Sequence, residues 1–182
     1  MKKLVNVVIV LGLVLSAHAV KVKKCGHDHN ESYVDINSID VEADKLSFPG
    51  KISLGVDLDV SRDLKGAQIE LEVTFKRKVA WIWITIPCIR GVGSCTYDVC
   101  KLVRDLTEDG CPDDLTSNGI PCECDKVKKG SYTLPQQVVE LPDLPGVMSY
   151  LSEGKYKIGL KIRDKAADKD LACLSVEATI DN

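Results

Sequence analysis

The sequence predicts an all-β, antiparallel fold with one short helix inside a disulfide-rich insertion. Three observations predict it. Aliphatic residues alternate with polar or small ones in four separate runs, Pro and Gly punctuate the gaps between those runs, and six of the eight cysteines fall between Cys88 and Cys124.

The 182-residue chain opens with Lys2 and Lys3, an apolar stretch from Leu4 to Leu15, and Ala17-His18-Ala19. That order of charge, short apolar run and small-x-small site predicts an export signal over residues 1–19, with the remainder, 20–182, forming a single domain. The apolar stretch is too short for a retained membrane span, and Trp81 to Ile86 is only strand-length. Without Lys2 and Lys3 the balance is 22 basic against 27 acidic residues, about −5, with no dominant Lys or Arg cluster. That excludes nucleic acid as an expected partner.

Ile52, Leu54, Val56, Leu58 and Val60 alternate with Ser53, Gly55, Asp57 and Asp59, the pattern of a half-buried strand. Ile69, Leu71, Val73 and Phe75 repeat it, as do Tyr156, Ile158, Leu160 and Ile162, and then Leu174, Val176, Ala178 and Ile180. Weaker strands are predicted at Ser38 to Phe48, Ser131 to Leu134 and Gln137 to Leu141. Trp81 to Ile86 is apolar at every position but one and reads as a central strand covered on both faces. Pro49-Gly50, Asp63 to Gly66, Pro87, Gly91 to Gly93, Pro135, Pro142 to Gly146 and Asp164 to Lys169 suit turns. Within Ser94 to Asp109, Tyr97, Cys100, Val103 and Leu106 recur every three residues, which predicts the helix.

Eight cysteines behind an export signal imply four bridges, though spacing alone allows 105 pairings. The alternative, zinc at Cys122-Glu123-Cys124, lacks a second matched pair, so no metal or other cofactor is expected. His27 and His29 flank Asp28, but a solvated terminus is the expected reading rather than a metal or catalytic site. There is no G-x-S-x-G elbow, and no catalytic residue is assigned. Asn30-Glu31-Ser32 is a glycosylation sequon that makes Asn30 a candidate site.

Ile86-Pro87-Cys88, Gly93-Ser94-Cys95-Thr96-Tyr97, Gly119-Ile120-Pro121-Cys122-Glu123-Cys124 and Gly130-Ser131-Tyr132-Thr133-Leu134-Pro135 follow one another along the chain. Around them stand Val79-Ala80, Trp83-Ile84, Pro142-Asp143-Leu144, Gly154-Lys155-Tyr156 and Leu171-Ala172-Cys173. In this order they resemble the GM2 ganglioside activator family. That family belongs to a lipid-recognition superfamily related to the endotoxin co-receptor and the lysosomal cholesterol carrier. The resemblance implies an antiparallel β-cup, an open two-layer sandwich whose apolar interior holds lipid. Alternation by itself favours an ordinary packed core, and it is the resemblance that implies the cup.

The resemblance also implies bridges joining Cys25 with Cys173, Cys88 with Cys95, Cys100 with Cys124, and Cys111 with Cys122. It implies a secreted or lysosomal, non-enzymatic carrier that lifts a glycosphingolipid from a membrane surface and presents it to a β-hexosaminidase-like glycosidase. Its lipid-binding or membrane-contacting candidates are Trp83, Val147, Met148, Tyr150 and Leu151, the last four in the place of the family's membrane-touching loop. A secreted signalling or toxin-like module on the same scaffold and a secreted lipid hydrolase are the competing readings. The first predicts a filled interior, the second turnover lost in His27→Ala.

Overall fold

The computed structural model describes residues 20–25, 32–43, 46–47, 49–141 and 153–180. Within them lie β1 (Val20–Lys24), β2 (Val34–Glu42), β3 (Gly50–Val60), β4 (Ile69–Val79), β5 (Ile82–Thr85) and β6 (Thr96–Asp98). The helices α1 (Val99–Leu106) and α2 (Asp113–Ser117) and a 3-10 turn at Cys124–Lys126 follow, then β7 (Gly130–Leu141), β8 (Gly154–Asp164) and β9 (Lys169–Ile180). One sheet has the order β1-β9-β8-β4-β5, with β6 also pairing with β4, and the other has the order β2-β3-β7. Every strand pairing within these sheets is antiparallel. The sheets approach each other along β2, which lies against β1 and β9. The result is an antiparallel two-layer β-cup.

The four clear alternating runs are β3, β4, β8 and β9. In the large sheet Phe75 pairs with Ile158 and Ile158 with Val176, while Val73, Leu160 and Leu174 line up in the next rank. Their neighbours fall on the other face, where Lys157 meets Glu177 at 3.3 Å and Lys161 meets Asp170 at 2.8 Å. A one-residue slip would bury these charges, so the alternation itself sets the register.

Where the sequence expectation and the structure differ, a bulge or an edge is the reason. The strand expected at Ser38 to Phe48 is instead β2, beginning at Val34. A register shift between Ile36 and Ser38 puts two residues between Ile36 and Ile39 instead of one, which breaks the period of two in the sequence while keeping both side chains on one face. Asn37, the extra residue, donates from Nδ2 to Asp57 and Asp59 at 2.9 Å each. Pro135, read as a turn between two strands, lies within the single strand β7, opposite the register shift between Leu54 and Val56. Proline is tolerated there because β7 is an edge strand and the ladder is already interrupted.

Trp81 to Ile86 is not a covered central strand. β5 is an edge strand whose four residues are all exposed. β4 gives one stretch of its edge to β5, at Lys76 to Val79, and another to β6, at Glu70 to Glu72, so no strand is left to cover β5. Between them the chain folds into the small Cys88–Cys95 ring. Gly93 sits there at φ 107°, and a Cβ would collide with the carbonyl of Pro87.

The helix expected within Ser94 to Asp109 is α1, capped by Asp98, whose side chain accepts from the Lys101 amide at 2.8 Å. The insertion also holds α2, whose first turn carries Asp113 and Asp114. Four bridges are present: Cys25–Cys173, Cys88–Cys95, Cys100–Cys124 and Cys111–Cys122. The first spans 148 residues and is worth about 5 kcal/mol by loop closure.

Candidate functional site

The site is the space between the inner faces of the two sheets. On the small sheet, register places Val34, Ile36, Ile39 and Val41 of β2 on the same face as Ile52, Leu54, Val56, Leu58 and Val60 of β3. Tyr132, Leu134, Gln137 and Val139 of β7 share that face. On the large sheet, Leu71 and Val73, Ile158, Leu160 and Ile162, and Val176 supply the opposite wall.

These walls are not packed shut. β3 is flanked by hydrogen-bonded strands on both sides, so its side chains can reach solvent only through a sheet face. Yet Ile52, Leu54, Val56 and Leu58 are each only half-buried. In a close-packed sandwich the inward aliphatics of a central strand are fully buried. Besides Val20, Val60, Cys95, Leu174 and Ala178, the fully buried apolar side chains gather in two clusters away from the middle of β3. One comprises Phe75, Tyr156 and Ile180, with Leu46, Ile86 and Ile158 against it. The other comprises Tyr33, Ile69 and Leu171, with Val34, Leu64, Val99, Cys100 and Ile162 around it.

The second cluster is locked by Asp164, whose side chain is 2% exposed. It accepts from the Tyr33 hydroxyl at 2.6 Å, Arg62 Nη2 at 2.9 Å and the amides of Ala166 at 3.0 Å, Gln68 at 3.3 Å and Ala167 at 3.3 Å. Burial alone would raise the Asp164 pKa. The hydrogen bonds from Tyr33 and from the Ala167, Gln68 and Ala166 amides outweigh it and hold the carboxyl below its ordinary value. Arg62 also lies over the Tyr33 ring, 3.7 Å from its centroid. Nothing in the local sequence pointed to this network, because its members are 102 and 131 residues apart and each reads locally as a turn or a strand end.

At the other cluster the β4–β5 hairpin projects. Its tip is Ala80-Trp81, with Ala80 at φ 53° and Trp81 85% exposed, and Val79, Ile82, Trp83 and Ile84 are exposed beside it. Val79 and Arg77 pair with Ile82 and Ile84, which places both isoleucines on the cup's inner face. Trp83 pairs with Lys78 and falls on the opposite face, with the Lys78 ammonium 5.8 Å from its ring centroid. Trp83 therefore borders the cup from outside and does not line it. Trp81, expected within a covered strand, stands exposed at a hairpin tip.

Val147, Met148, Tyr150 and Leu151 lie outside the described residues, as do Asn30, His27, Asp28, His29 and residues 1–19. Among the described residues, no group of three or more His, Cys, Asp and Glu could hold a metal ion. No helix among them is long and apolar enough to cross a membrane.

Residues 19–180 match the ML domain. The chain is 32% identical over 184 residues to the ganglioside GM2 activator of Macaca fascicularis, covering 96% of this chain and 94% of that protein. It is 31% identical over 156 residues to the ganglioside GM2 activator of Mus musculus, covering 84% and 78%. Among solved structures it is similar to the crystal structure of a Niemann-Pick type C2 protein from Japanese carpenter ant, at 14% identity and a TM-score of 0.43, covering 88% of this chain and 99% of that one. By the extent of the ML-domain match and its identity to these activators, the chain belongs to the ML-domain family and, within it, to the ganglioside GM2 activator group.

Proposed function

We propose that the protein is a lipid-binding and transfer protein that takes a glycosphingolipid from a membrane into the cup and presents its head group to a soluble, β-hexosaminidase-like glycosidase. It acts as an activator and carries out no catalysis itself. The observation that carries this reading is the half-exposed aliphatic wall of β3, a central strand. Exposing an eighteen-carbon chain to water costs about 14 kcal/mol at about 0.8 kcal/mol per methylene, so a carrier needs a deep aliphatic interior. Leu54, Val56 and Leu58 facing Val73, Leu160 and Val176 supply such walls. A filled interior, which the signalling-module reading requires, would have buried them. The name shared by the two activator relatives supports a ganglioside-like ligand.

The exposed hairpin tip, with Val79, Trp81 and Ile82, is the surface that meets the membrane, and Trp83 beside Lys78 borders it. Val147, Met148, Tyr150 and Leu151 are further candidates for membrane contact by the family resemblance alone. Export through the secretory pathway, with delivery to the lysosome or the outside of the cell, fits four disulfides and the signal at residues 1–19. The test is extraction of a labelled ganglioside from vesicles at mildly acidic pH. Transfer well above an albumin control is expected; transfer at the control level would defeat the proposal.

A further inference from the structure

We propose that Arg77 is the counter-ion for an anionic lipid head group held at the mouth of the cup, a reading that rests on the carrier function proposed above. Arg77 stands on the inner face of β4, paired across the sheet with Tyr156 on one side and Ile84 on the other. Along that face the chain runs Leu71, Val73 and Phe75, then Arg77, then Val79 at the base of the exposed tip. At about 3.4 Å per residue, Arg77 lies about 14 Å beyond Val73. A lipid with its chains against Leu71 and Val73 and its head directed to the tip therefore brings its polar group to the level of Arg77.

The guanidinium is only partly engaged by the protein. Its Nη2 donates to the Glu153 carbonyl at 3.3 Å, and its Nε is buried with no hydrogen-bond partner among the described residues. None of the ion pairs among the described residues includes Arg77, whereas Arg62 and Arg163 both meet carboxylates. A buried donor left unmet is costly, and an arginine beside the buried Phe75–Tyr156 pair sits in low-dielectric surroundings that strengthen its attraction for an anion. Its proximity to Tyr156 is felt electrostatically: burial raises the Tyr156 phenol pKa, and the Arg77 charge works against that rise. The planar fork of a guanidinium matches a carboxylate, phosphate or sulfate through two parallel hydrogen bonds.

The experiment compares transfer of sulfatide and galactosylceramide, which share a ceramide and a sugar and differ by one sulfate, by the full-length, disulfide-intact protein. Unaltered protein should transfer sulfatide about tenfold better. Arg77→Gln should lower sulfatide transfer about tenfold and leave galactosylceramide transfer unchanged, while Arg77→Lys should keep part of the preference. Inorganic sulfate at millimolar concentration, added as a competitor, should leave sulfatide transfer intact; loss of transfer would mean that the site takes a free anion and would overturn the assignment to a head group. Equal losses for both lipids in Arg77→Gln would make Arg77 a strap to Glu153 and overturn the proposal, as would no loss for either. If Arg77→Gln does not fold, equal transfer of the two lipids by the unaltered protein overturns it. Absence of transfer for both lipids by the unaltered protein would instead sink the carrier reading, and this assignment with it.

Discussion

The two ends of the cup are built on opposite principles. Around Leu171, apolar side chains are buried, Asp164 gathers five hydrogen bonds, and the Cys100–Cys124 bridge packs against the cluster. Around β3 and the β4–β5 hairpin, equally apolar residues are left half-buried or exposed. The comparison teaches that this chain confines close packing to parts of its interior so that the space along β3 can stay unfilled. Apolar surface that would ordinarily be covered by protein is reserved for a ligand.

The largest expected effect is at the locked end. Asp164→Asn weakens charge-assisted bonds in a buried site and should cost about 2 to 4 kcal/mol, read as a lower denaturation midpoint. Because the carboxyl is held below its ordinary value, its contribution is fully present above about pH 4 and is lost as pH falls from there toward the lowered folded-state value. The unaltered protein should therefore keep this contribution at pH 5, and the stability gap to Asp164→Asn should narrow only below about pH 4.

A leucine-to-alanine pair sharpens the contrast. Leu171→Ala empties a buried position and should cost about 2 to 4 kcal/mol, whereas Leu54→Ala removes a half-exposed side chain and should cost about 1 kcal/mol. Lipid affinity should respond in the reverse order, falling in Leu54→Ala and holding in Leu171→Ala at temperatures where both are folded. Equal stability losses would mean that the interior is packed after all. The smallest stability effect belongs to Trp81→Ala, within about 0.5 kcal/mol because the side chain is solvent-exposed, yet vesicle binding should weaken measurably.

Much of the fold was legible because β3, β4, β8 and the Leu174 to Ile180 stretch of β9 alternate without interruption. The rest was hidden for identifiable reasons. The bulge at Asn37 displaced the start of β2, Pro135 read as a break although an edge strand absorbs it, and the apolar run at Trp81 to Ile86 read as covered because an exposed apolar edge has the composition of a core. The openness of the site was not legible at all, since alternation is the same for a hollow and a filled sandwich. Asp164, Arg62 and Tyr33 carry no local signal of their meeting, and Arg77 stands in a basic Lys76-Arg77-Lys78 run whose middle member alone turns inward.

The central claim is that hydrocarbon occupies the space between the sheets. A methyl-resolved NMR titration of the intact protein with a ganglioside tests it most directly. The account predicts that methyl resonances of Leu54, Val56, Leu58 and Leu160 shift while those of Leu171 stay in place. Shifts confined to Val79, Ile82 and Ile84 of the hairpin, with the β3 and β8 methyls unmoved, would contradict it.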